Sequence, residues 1–218
     1  MTAPPNRCSK CGKTPAEGLK ACSKCHGATG KYCSRECQVA HWKMHKPMCH
    51  PLADDEVWAI RILDNRHGPW RKRFQNVLLK ATHSVFTQGE LCPVTAICGF
   101  PLLIWSERHH GGTRALADNK LAVYLRIEPT NAFAPMHWQI DDAGTCFVAR
   151  FDRQPLTLEA IETIYNFHSH LLRTLDDDRM KTGMNWEQPL SPEWLRSFAA
   201  EFRKEQIEGG RKGYGFFP

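Results

Sequence analysis

Apolar positions change their spacing three times along the chain, and each change predicts a different kind of element. Between residues 8 and 49 they are scarce, set singly among cysteines, lysines and glycines, too few to fold by burial alone. Only Val39, Trp42 and Met44 gather there, behind Ser34, which is placed to cap a short helix. Pro51 to Glu56 then reads as a linker ending in a helix start, its acids suited to the N-terminal dipole. Val57, Ile60, Ile62 and Leu63 follow at mixed helical spacing up to the His67-Gly68-Pro69 break. Phe74, Val77 and Leu78, at i, i+3 and i+4, predict a second helical stretch over Trp70 to Lys80.

From Leu91 the pattern shortens. Leu102–Trp105, Leu121–Ile127, Met136–Ile140 and Cys146–Phe151 are β-rich runs separated by Gly111-Gly112, Pro129-Thr-Asn131 and Asp141-Asp142-Ala-Gly144. Imperfect alternation in Leu121–Ile127 suits a strand buried on both faces, and Asp141 to Gly144 reads as a hairpin turn. Two helices close the chain. Thr157 to Asp176 carries Leu158, Ile161, Ile164, Tyr165, His168 and Leu172 near one stripe. Ser191-Pro192 opens the last, a cap followed by proline at the first position, and it runs through Phe198 and Phe202 toward Gly209-Gly210. The fold class is α+β, in three segments: a small cysteine-rich module (1–51), a helical linker region (52–90), and an α+β domain with a short antiparallel sheet and C-terminal helices (91–218).

Composition sharpens this. With 218 residues, 42% of them hydrophobic, the chain has room for one core of roughly 150 residues plus a small module. No run of about 18 apolar residues is present, so no spanning helix is expected, and Met1 to Arg7 lacks the apolar stretch of a secretory leader. The expectation is an intracellular protein of nucleus or cytoplasm, without membrane contact, its oligomeric state left open. Seven of the ten cysteines lie between Cys8 and Cys49, paired at C-x2-C and C-x3-C spacing. In a reducing compartment such clusters hold metal rather than disulfides.

The spacing is Cys8-x2-Cys11, Cys22-x2-Cys25, Cys33-x3-Cys37 and His45-x3-Cys49. Each C-x2-C pair can form a knuckle whose sulfurs converge on one tetrahedral ion. Eight ligands mean two zinc ions in closed structural shells, which leave no open position for a substrate. His26, His41 and His50 are nearby substitutes, none at the expected spacing.

Tyr32-Cys33-Ser-Arg-Glu-Cys37-Gln38, followed by Trp42-x2-His45-Lys46-x2-Cys49, resembles the second half of a MYND zinc finger, and the two C-x2-C pairs match the first half. The resemblance implies interleaved pairs: Cys8, Cys11, Cys33 and Cys37 on one zinc, and Cys22, Cys25, His45 and Cys49 on the other, a cross-brace. It also implies a shallow groove for proline-rich peptides at Ser23, Gln38 and Trp42. That suits their chemistry, since an indole stacks on proline and a glutamine amide hydrogen-bonds an extended backbone. Some members have an acidic residue where this chain has His41, so here no negative charge is expected beside Trp42. Phe133-Ala-Pro-Met-His-Trp138, before a hairpin and a long helix, resembles fungal proteins that carry a MYND finger ahead of a variable C-terminal region.

Charge raises a competing reading. Residues 1–50 hold nine Lys or Arg against Glu17 and Glu36, a formal +7, while the remainder has twenty basic against twenty-one acidic residues. Seven thiolates and two zinc dications lower the finger to about +4. A nucleic-acid or chromatin role would use that face with Arg71-Lys72-Arg73, although such a run is commonly a solvated helix face. Enzymatic chemistry finds little footing, so no enzyme is expected. His109-His110-Gly111-Gly112 reads as a turn, His168 and His170 point apart on one helix, and Cys92, Cys98 and Cys146 sit in apolar settings. Neither a nucleophile elbow nor a phosphate loop is present, and no motif of a SET-type methyltransferase follows the finger. The leading expectation is an interaction adaptor whose finger binds a partner with a proline-rich motif.

Overall fold

The computed structural model describes residues 7–107, 118–128, 133–140, 142–179 and 191–217. The His109-His110-Gly111-Gly112 turn, the Pro129–Asn131 turn and Asp141 fall outside the described residues.

The cysteine-rich segment folds on a two-residue ladder, β1 (Lys20–Ala21) antiparallel to β2 (Lys31–Tyr32), and one helix, α1 (Arg35–His45). Ser34 caps α1 as its position suggests, its hydroxyl accepting from the Cys37 amide at 3.3 Å. A 3-10 turn over Lys46–Met48, with Pro47 inside it, ends the helix and swings Cys49 back.

The rest forms a five-stranded sheet with helices packed mainly on one face. In chain order come β3 (Glu56–Ile62), α2 (Trp70–Arg73), β4 (Phe74–Lys80), α3 (Ser84–Gln88), β5 (Glu90–Leu91), α4 (Thr95–Cys98) and β6 (Leu102–Ser106). Then follow α5 (Lys120–Tyr124), α6 (Met136–Ile140), β7 (Cys146–Arg150), α7 (Leu158–Arg179) and α8 (Pro192–Glu208). The strand order is β4-β3-β7-β6-β5 and every pair is antiparallel. Ile60 and Ile62 of β3, Leu102 and Ile104 of β6, and Cys146 and Val148 of β7 face the main core. Ala59, Leu79, Leu103 and Ala149 face a second, smaller cluster under α3, around Val85. Against the main face α7 lays Ile161, Ile164, Phe167 and Leu171, and α8 lays Leu195 and Ala199. Each such large side chain contributes about 1.5–3 kcal/mol by leaving water.

Three sequence expectations are corrected here. The region 52–90 is mainly strand, not a helical linker: Val57–Ile62 and Phe74–Lys80 form a hairpin in register from Glu56↔Lys80 to Ile62↔Phe74, and helix is confined to short turns at Asn65–His67, Trp70–Arg73 and Ser84–Gln88. A short apolar run has no unique period, and β7, more than eighty residues away, supplies the ladder that decides for strand. The expected strand at Leu121–Ile127 is helix α5, because Asn119 caps it by accepting from the Ala122 amide at 3.3 Å. The Asn119 amide also donates to Ile62 O at 3.1 Å and Gly144 O at 2.7 Å, tying that helix to the sheet. Met136–Ile140 is likewise helical, so no hairpin joins it to β7. The strands at Leu102 and Cys146, and both C-terminal helices, are where the pattern put them.

The finger is fastened to this body by the end of the chain. Phe216 donates its amide to Ser9 O at 2.9 Å, and Lys10 Nζ donates to Tyr214 O at 2.7 Å. Arg203 of α8 bridges both partners, with Nη2 donating to Lys10 O at 2.8 Å and Nε to Gly215 O at 3.0 Å. Phe217 enters the main core beside Phe100. The approach is close enough to demand glycine twice. A Cβ on Gly12, whose φ is +78°, would lie 2.5 Å from the Phe216 ring, and one on Gly215 would lie 2.7 Å from Ser9 O.

Candidate metal centre and docking surface

The ladder and the helix cap bring the ligands together. The knuckle at Cys8 is closed by Gly12 N donating to Cys8 O at 2.9 Å, and the knuckle at Cys22 by Gly27 N donating to Cys22 O at 3.2 Å. Antiparallel pairing of β1 with β2 sends Cys22 and Cys33 off opposite ends of the ladder, one toward each ligand group, and α1 carries Cys37 in its first turn and His45 in its last. The result is two groups: Cys8, Cys11, Cys33 and Cys37, and Cys22, Cys25, His45 and Cys49, with the ligand atoms of each group within 4.8 Å of one another.

The spacing inside each group fits zinc. Cys11 and Cys33 sulfurs are 3.6 Å apart, Cys33 and Cys37 3.5 Å, and Cys22 and Cys49 3.8 Å. Two thiolates on one tetrahedral zinc stand about 3.8 Å apart, given Zn–S bonds of about 2.3 Å, whereas a disulfide would hold them at about 2.0 Å. In the second group His45 turns Nε2 toward Cys25 Sγ at 3.8 Å and Nδ1 toward Thr29 Oγ1 at 3.4 Å. Thr29 donates to Met48 O at 2.9 Å, so its oxygen is fixed where it orients the imidazole. Burial, with His41 close by, holds His45 below the usual imidazole range, which favours the neutral state a ligand needs. The cross-brace that the resemblance implied is thus present, with one four-cysteine and one three-cysteine, one-histidine shell for two structural zinc ions.

The substitute histidines stand apart. His26 and His50 are exposed and join neither group. His41 is not a surface position beside Trp42, as its place in the sequence suggested, but a buried one. Its Nδ1 lies 2.9 Å from the Tyr32 hydroxyl and its Nε2 3.1 Å from Glu159 Oε1 on α7. Burial alone would raise the Glu159 carboxyl, yet hydrogen bonds and charge from His41, with backbone amides, hold it below its ordinary value. Sequence reasoning missed this pair and the closing segment 213–217. The alternating glycines and aromatics of Gly213-Tyr-Gly-Phe-Phe217 were the available signal.

Of the groove positions, Ser23 is exposed inside the second knuckle, Gln38 is half-buried, and Trp42 is 38% exposed. Gln38 and Trp42 are one turn apart on α1, and the indole sits 5.8 Å from the His45 ring, beside the second metal group. Val39, 66% exposed, extends the apolar surface. The opposite side of α1 is occupied, since Gly213 of the closing segment packs on Met44.

Elsewhere the candidates resolve into structural roles. Arg73 is buried and bonds Asn65, and Arg71 lies over Trp70 and reaches Gln206, so the three-charge run is not a row facing solvent. Burial pushes the Cys92 thiol up to about 12 and Cys98 up to about 11, with Cys146 raised as well, which leaves all three unreactive. His168 is buried in the core and pushed down to about 4. Among the described residues no helix is long and apolar enough to cross a membrane.

No solved structure matches the chain. Residues 8–49 match the family model for the MYND finger, spanning the first ligand to the last. With its two interleaved shells, the N-terminal segment of this protein is therefore a MYND zinc finger, a kind of module that generally mediates protein–protein interaction.

Proposed function

We propose that this protein is an adaptor, not an enzyme, and that its finger docks a proline-rich segment of a partner protein on the surface formed by Ser23, Gln38 and Trp42. The observation that carries this reading is the position of Trp42: an indole left 38% exposed on a helix whose other side is covered. A tryptophan needed only for packing would be drawn inward, and His41, its neighbour, is. The exposed ring offers a flat apolar face to a proline, and the Gln38 amide, one turn away, offers a donor and an acceptor to an extended backbone. The sheet domain, bonded to the finger through Tyr214 and Phe216, gives it a base, and the setting proposed is intracellular, nucleus or cytoplasm.

Isothermal calorimetry of the zinc-loaded full chain with a proline-rich peptide tests this. Intrinsic fluorescence is a poor readout, because the chain has seven tryptophans. A shallow surface buries little area and must order a flexible peptide, so a Kd in the micromolar range, about −6 to −8 kcal/mol, is expected. Trp42→Ala should abolish the heat of binding while zinc content stays at two per chain. Binding that survives this substitution places the docking surface elsewhere. Affinity that instead falls steeply with salt for duplex DNA, unchanged by Trp42→Ala, favours the nucleic-acid reading.

A further inference from the structure

The docking face has a charge pattern that narrows the partner's chemistry. Along α1, Arg35, Val39, Trp42 and Lys46 follow one another at steps of four, three and four, so they form one stripe with a cation at each end and apolar surface between. Lys24 adds a third exposed cation next to Ser23 in the second knuckle. All three cations are exposed, and none forms an ion pair among the described residues. Acids that might neutralise them are few: residues 7–50 contain only Glu17 and Glu36. Glu36 adjoins Arg35 in sequence but lies about 100° around the helix, away from the stripe. Its carboxylate is held first by the Ser34 side chain and its own backbone amide, with the Arg35 charge a smaller influence, so Arg35 is only partly offset.

We infer that the partner segment carries acidic residues on both sides of its proline-containing core. This rests on the docking reading above. Arg35 and Lys46 are eleven residues apart, about 16 Å along the helix axis at 1.5 Å per residue. A polyproline-type segment advances about 3.1 Å per residue, so Asp or Glu about five residues apart would meet both cations while the apolar core covers Val39 and Trp42. Such rim pairs raise the encounter rate and fix the register of the peptide more than they add contact energy. An extended run of phosphates fits less well, because the middle of the stripe is apolar.

The test uses the zinc-loaded full chain and two fluorescent peptides with one proline-rich core. One is flanked by aspartates five residues apart and the other by asparagines. At low salt the aspartate peptide should bind about threefold to tenfold tighter, and the difference should shrink toward unity in about 0.5 M salt. Lys46→Gln and Arg35→Gln should each remove part of the preference while leaving the asparagine peptide unaffected. Equal affinity of the two peptides overturns the inference and leaves the docking reading intact. Failure of both peptides to bind overturns the docking reading and the inference with it. Tighter binding of single-stranded or duplex DNA than of either peptide overturns both in favour of a nucleic-acid partner.

Discussion

His41 of the finger helix and Glu159 of α7 meet at 3.1 Å in a site where each side chain is only 7% exposed. A polar bond this dry, between residues 118 positions apart, makes the finger part of the same packed structure as the sheet domain. Truncating Glu159 strands His41 Nε2 in a nearly dry site, with only Nδ1 still bonded, to Tyr32. Glu159→Ala should therefore cost about 1–3 kcal/mol, read as a shift in the urea midpoint at unchanged zinc content. A surface-like loss of a few tenths would show the pair to be incidental.

Zinc removal should be felt beyond the finger. Loss of metal unfolds a module that has little core of its own, and the Ser9 and Lys10 contacts that hold segment 213–217 go with it, as does the His41 bond to Glu159. Treatment with a strong chelator should release two zinc ions per chain and lower the melting temperature of the sheet domain by several degrees. An unchanged transition for that domain would show that the two parts fold independently.

Gly12 tests the same junction by geometry. Its φ of +78° and the 2.5 Å approach of the Phe216 ring both oppose a side chain. Gly12→Ala should destabilise the protein by more than about 1 kcal/mol, measured by denaturant unfolding. Gly99, in the ordinary left-handed region at φ +81° with open space around it, is the control: Gly99→Ala meets modest backbone strain alone and should cost less.

How much of this was legible in the sequence depended on the range of the interaction. The eight ligands were readable because their spacing is local and metal chemistry admits few alternatives. The cap at Ser34 and the start of α8 at Ser191-Pro192 were readable for the same reason. Val57–Ile62 was misread because its apolar residues suit either period and its neighbours in the sheet come from distant segments. The strand expected at Leu121–Ile127 gives way to helix because Asn119, the deciding residue, precedes the apolar run and looks like an ordinary loop polar residue. The burial of His41 is not legible because nothing near it in the sequence announces Glu159, 118 positions away.

His168 gives the protein an acid sensitivity separate from the metal. Burial pushes it down to about 4, against about 6.5 in an unfolded chain. A histidine depressed on folding has no effect above the unfolded value. As pH falls through the window from about 6.5 to 4, the unfolded state takes up the proton first, and stability is lost. Between pH 7 and pH 5 this amounts to about 2 kcal/mol. Urea midpoints of wild type and His168→Leu at both pH values isolate the effect, since the zinc ligands contribute equally to each. Equal pH slopes would contradict the assignment.

The account rests most heavily on where a partner peptide lands. Two-dimensional amide NMR of the zinc-loaded, 15N-labelled chain, titrated with an acid-flanked proline-rich peptide, reads this residue by residue. Shifts concentrated at Ser23, Gln38, Val39 and the Trp42 indole, with the sheet domain undisturbed, are the predicted result. Saturating peptide that leaves those four signals in place, or moves only signals outside residues 8–49, would contradict it.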